Sequence, residues 1–97
     1  MNNNYIIVLK SQLGPKSGTL KIRESRGERL WGILDLLGHK SLLVGKISNE
    51  GKDIELKGRI MTPLGLSTCM LSATKEENEL TGEFKVENKF YEISGKR

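Results

Sequence analysis

His39 and Cys69 are the only histidine and the only cysteine in this 97-residue chain. A zinc or copper centre built on nitrogen and sulfur needs several such ligands, so two are too few and no metal site is expected. His39 falls in Gly38-His39-Lys40, a turn in which an exposed polar side chain is ordinary. Cys69 would act as a nucleophile only as a thiolate, which wants a basic neighbour or a helix N-terminus; neither is close in sequence, so it reads as a small, half-buried strand residue. As the sole cysteine it forms no intrachain disulfide. The carboxylates Asp53 with Glu55 and Glu76 with Glu77 sit at strand starts and turns, where charge keeps edges soluble. Among the eleven glycines there is neither a G-x-x-x-x-G-K-(S/T) loop nor a G-x-G-x-x-G opening a helix, so phosphate cradling is not expected. No catalytic residue, metal or cofactor is assigned, and the chain is read as a non-enzyme.

The glycines instead mark a repeat. Leu30-x-Gly32-x-Leu34, Leu43-x-Gly45-x-Ile47 and Leu56-x-Gly58-x-Ile60 begin 13 residues apart, and Leu80-x-Gly82-x-Phe84 repeats the pattern. Thirteen beyond Leu56 comes Cys69-x-Leu71-x-Ala73, thirteen beyond Leu80 comes Ile93-x-Gly95, and Gly18-x-Leu20-x-Ile22 lies upstream. A period of two inside a period of about 13 means strand, turn, strand. Turn residues fall between: Gly14-Pro15, Arg26-Gly27, Gly38-His39, Glu50-Gly51, Pro63-Leu64-Gly65, Glu77-Asn78 and Asn88-Lys89. Seven turns separate eight strands, expected at 4–13, 17–25, 29–37, 40–49, 53–62, 66–75, 79–87 and 89–96. A helix over 28–37, with Leu30, Ile33, Leu34 and Leu37 on one face, competes for the third segment. Gly32 would cost that helix about 1 kcal/mol relative to Ala, while it fits the repeated strand motif.

Connections this short join only neighbouring antiparallel strands. The expected fold is therefore all-β, a single-domain up-and-down meander of about eight strands over residues 1–97, closed into a small barrel by pairing Tyr5 to Leu9 with Phe90 to Ile93. The predicted interior is filled or nearly so, lined by Leu9, Leu20, Ile22, Leu30, Leu34, Leu43, Ile47, Leu56, Ile60, Leu71, Phe84 and Ile93, with the glycines facing in where strands crowd.

This Leu-x-Gly cadence over a whole eight-strand meander resembles the calycin group, the lipocalin and avidin-like barrels, and small bacterial single-domain barrel proteins. The lipocalin signature places Gly-x-Trp on the first strand, whereas here the only tryptophan lies in Leu30-Trp31-Gly32 on the third. Avidin-type sites are lined by several tryptophans. The resemblance thus implies a shape and carries over no ligand residue.

Function is sought on the surface. The net charge of +4 is uneven: residues 1–49 carry 8 Lys/Arg against 3 Asp/Glu, and residues 50–97 carry 8 against 9. If the glycine side faces in, Ile6, Val8, Trp31, Ile33, Leu37, Leu42 and Val44 face out, an apolar set that marks an interface. The leading expectation is a binding or interaction module that self-associates as a homodimer through this patch. A barrel that takes a small apolar ligand at its mouth is the alternative. Nucleic-acid binding by the basic half, through Lys10, Lys16, Lys21, Arg23, Arg26, Arg29, Lys40 and Lys46, ranks lower because only Trp31 is placed to stack on a base. No secretory leader and no bilayer-spanning run is read, so a cytoplasmic location without a membrane partner is expected.

Overall fold

Val, Ile, Leu, Tyr and Phe alternating with Lys, Arg, Glu, Ser and Thr suit a sheet with one wet and one dry face. The computed structural model describes all residues except 1, 12–13, 25–26, 37, 49 and 63–64. Eight strands follow in chain order: β1 (Asn2–Ser11), β2 (Gly14–Glu24), β3 (Arg29–Leu36), β4 (His39–Ser48), β5 (Asp53–Thr62), β6 (Gly65–Glu76), β7 (Glu79–Val86) and β8 (Lys89–Lys96). Each pairs antiparallel with the next, and β8 returns to β1, giving a closed all-β barrel. It measures 35 × 22 × 22 Å. The segment open to a helical reading is strand β3.

Several sequence expectations shift: His39 and Lys40 belong to β4, Gly65 to β6 and Lys89 to β8, rather than to turns. Gly14 and Pro15 belong to β2, opposite Ser11 and Lys10, rather than to a turn. Strand β1 meets β8 with Leu9 opposite Ile93 and Ile6 opposite Lys96, so its partner is Ile93–Lys96 and not Phe90–Ile93. The strands are the expected ones, slid along the seam by the tilt that closing a barrel imposes.

Alternation puts one side of every strand inside. Of the twelve expected core residues all are buried except Ile47, which is half-buried; Tyr5, Ile7, Ile54, Cys69, Ala73 and Leu80 complete the core. The glycines do face inward, and two show why. A Cβ on Gly58 would stand 2.5 Å from Leu43 Cδ2 and 2.8 Å from the Leu42 carbonyl oxygen, and one on Gly45 would collide with the Glu55 backbone. Side chains there would block the close approach of β4 and β5 that a tightly curved wall demands.

The two ends of the barrel differ. At one end, inward positions are Tyr5, Ile22, Leu30, Ile54, Ala73 and Leu80, all buried, and they fill the space. At the other, the last inward positions are Ser11, Lys16, Ser41, Thr62 and Ser67, with Val86 and Tyr91. Short polar side chains in these places leave the interior unfilled, and that end is a mouth.

Candidate functional site

A cavity of about 260 Å³ opens at this mouth. Its floor is Leu9, Leu34, Ile60 and Phe84, which are buried members of the core. Its collar mixes the polar Ser11, Lys16, His39, Ser41, Thr62 and half-buried Tyr91 with the apolar Leu36, Met61 and Val86. Lys16 reaches the inside because it pairs with inward Leu9 across β1 and β2, and Ser41 because it pairs with Leu34 across β3 and β4. The tips bearing the collar are stitched locally. Ser11 Oγ donates to the Gly14 carbonyl at 2.6 Å, and Thr62 Oγ1 donates to the Gly65 carbonyl at 2.9 Å while lying 3.3 Å from Ser67 Oγ. Among the described residues no carboxylate lines the cavity. Its chemistry is an apolar floor beneath hydroxyls and one lysine, suited to holding a molecule rather than transforming it.

Cys69 and His39 stand apart in character. Cys69 is buried on the inner face of β6, opposite Gly58. Burial pushes its thiol up to about 11, against a weaker opposing effect of a hydrogen bond from the Gly58 backbone. It is therefore protonated, and a poor nucleophile, near neutral pH. His39 is exposed at the mouth. No group of three His, Cys, Asp or Glu side chains gathers among the described residues. At the closed end, the Tyr5 hydroxyl is buried with no hydrogen-bond partner among the described residues, and burial raises its pKa against the lowering effect of Arg97.

The apolar residues expected on the outer face fall into two places. Trp31 lies opposite Val44 and Ile33 opposite Leu42, a two-by-two block on β3 and β4 in which Leu42 and Val44 are 61% and 56% exposed. Ile6 and Val8 lie on β1, cut off from that block by Thr19, Lys21 and Arg23 on β2. Leu37 lies outside the described residues. Charges, mostly positive, surround the block: Lys21 is opposite Ile33, Arg23 is opposite Trp31 with its guanidinium 5.6 Å from the ring centroid, and Lys57, 3.6 Å from Glu55, is opposite Val44. Asp35 faces Lys40 at the next outward position beyond Ile33. Arg29 and Lys46 face each other at the next outward position along the same strands.

Sequence reasoning missed the collar. Extending the alternation of Gly18-x-Leu20-x-Ile22 back by two places Lys16 inside, so the signal was present. Three further exposed apolar residues, Met61, Leu66 and Phe90, also went unassigned. Met61 and Leu66 are cross-strand partners, and Lys85 Nζ stands 5.4 Å over the Phe90 ring.

No protein-family model, no curated protein and no solved structure matches the chain.

Proposed function

We propose that this protein is a non-enzymatic binding module that takes one small amphipathic molecule, apolar end first, into the mouth of the barrel. The observation that carries this reading is the 260 Å³ cavity with its core-residue floor and largely polar collar. Functional pockets run from about 300 to 1,000 Å³; at about 260 Å³ this one falls just below that range, so its ligand is small. Lys16 supplies the formal positive charge of the collar and would favour a polar or anionic head there. The likeness to calycin-type barrels supports the same use of the interior, since such barrels hold one small ligand when they are not filled.

Self-association through the Trp31, Ile33, Leu42 and Val44 block, the leading sequence-based expectation, ranks below this reading. A two-fold pairing presents the same patch to itself, so a rim in which Lys21, Arg23 and Lys57 outnumber the carboxylates would be set against an equally cationic rim.

An amphipathic dye such as anilinonaphthalene sulfonate, followed by its fluorescence, tests the cavity. Saturable binding with one molecule per chain is expected, and Ser41→Phe, which fills the collar from β4, should weaken it at least about tenfold, a difference of about 1.4 kcal/mol. Val44→Ser on the outer wall should leave it unchanged. Binding that survives Ser41→Phe in a folded variant, or that Val44→Ser removes, would overturn the reading.

A further inference from the structure

We infer that the outer face of β3 and β4 is a docking surface for an anionic lipid bilayer. The sequence expectation of no membrane partner rested on the lack of a spanning segment, and lying on a bilayer requires none. The barrel does not span one either: Lys21, Arg23, Lys57, Arg59 and Glu83 point outward around the wall and interrupt any lipid-facing belt.

Three observations converge on this face. Its centre is aliphatic and aromatic, with Leu42 and Val44 more than half exposed and Trp31 and Ile33 half-buried beside them. Trp is favoured at the boundary between headgroups and hydrocarbon, where its apolar body and its N–H are both accommodated.

The frame is cationic. Arg29 and Lys46 are direct cross-strand partners, an arrangement of like charges that destabilises a sheet unless an anion lies between them. Neither has a salt-bridge partner among the described residues; Glu55, directly opposite Lys46 across β4 and β5, lies 3.6 Å from Lys57 instead. The corresponding acidic pair elsewhere on the wall, Glu83 opposite Glu92, is relieved within the fold, because Lys10 Nζ lies 3.4 Å from Glu92. With one carboxylate, Glu55, set against Arg29, Lys46 and Lys57, this edge of the face keeps an excess of positive charge that an external anion would meet. Lipid phosphates supply many at once, and their attraction acts within a Debye length of about 8 Å at physiological salt.

The third observation is shape. The barrel is only 22 Å across, so this face is strongly convex. A rigid partner would need a matching hollow, and a second copy would present a convex cationic face of its own. A fluid headgroup layer moulds to a convex surface and carries the opposite charge.

Trp31 is the only tryptophan, so its fluorescence reports on this face alone. The experiment mixes the full chain with vesicles of phosphatidylcholine, either pure or with about 30% phosphatidylglycerol. The expected result is a blue shift of Trp31 emission and partitioning at least about tenfold stronger to the anionic vesicles, falling as salt is raised from about 0.1 to 0.5 M. Leu42→Ser with Val44→Ser should remove the blue shift, and Lys21→Glu with Arg23→Glu should remove the preference for anionic lipid; circular dichroism checks that both variants are folded. Equal partitioning of the unmodified chain to the two vesicles, or no partitioning, would overturn the proposal without reference to any variant. So would light scattering that shows a dimer lost in Leu42→Ser with Val44→Ser, since a second copy would then occupy the face. A Trp31 response to single-stranded oligonucleotide but not to anionic vesicles would overturn it in favour of nucleic acid.

Discussion

Cys69 shows how far its surroundings govern one side chain. It is buried on the inner face opposite Gly58, and the cost of placing a thiolate there holds the proton on. Because the folded thiol titrates near 11 and an unfolded one near about 8.5, the unfolded chain loses its proton first as pH rises. The folded state then binds more protons than the unfolded state, so stability must fall with pH across this interval. Stability is complete below about pH 8 and should decline by an amount on the order of 2–3 kcal/mol by pH 11 on account of this group. Urea unfolding of the parent chain and of Cys69→Ala over that range checks it: the gap between their stabilities should narrow steadily as pH rises, and a constant gap would show that the thiol is not shielded.

At the level of the strand, curvature depends on positions without a side chain. Gly58→Ala would drive a methyl against Leu43 Cδ2 and the Leu42 carbonyl, and overpacking of this kind costs about 1–3 kcal/mol. A matching loss of stability is expected by chemical denaturation. Gly32→Ala, whose added carbon meets its nearest neighbour at 3.1 Å, should cost less than Gly58→Ala; the reverse order would show that the β4–β5 approach is not what limits the wall. The same glycines made the strands readable from the sequence. Leu30, Leu43, Leu56 and Leu80 each precede a glycine by two, and all four are buried. Strand limits followed to within a few residues because turns carry their own chemistry, as at Gly38, whose φ of +81° suits glycine. The slide between β1 and β8 was not legible, since no connection joins these strands and nothing local sets their register. The mouth was hidden for a related reason: Ser11, Lys16 and Ser41 look like ordinary polar strand residues until eight strands bring their inward sides together. The outer block was half legible. Trp31, Ile33, Leu42 and Val44 are adjacent because β3 and β4 form one hairpin, while Ile6 and Val8 share their facing but sit beyond β2.

On the scale of the whole barrel, the seams are unequal. Strands β5 and β6 are matched over ten residue pairs, from Asp53 opposite Thr74 to Thr62 opposite Gly65, whereas β1 and β8 are matched over four, from Ile6 opposite Lys96 to Leu9 opposite Ile93. The short seam also joins the two ends of the chain, so its closure waits on the longest loop in the molecule. Hydrogen exchange should therefore find the β1 and β8 amides of this seam opening at least about tenfold more often than those between β5 and β6; uniform protection would mean that the barrel opens only as a unit. At this junction Lys96 lies opposite Ile6, and β1 runs on four residues further, to Asn2. Because the ring gives every strand a neighbour on each side, a peptide long enough to cover that offset from Arg97 to Asn2 would make the backbone of these eight strands a continuous loop that can be cut afresh at another hairpin, with every strand still beside its present partners.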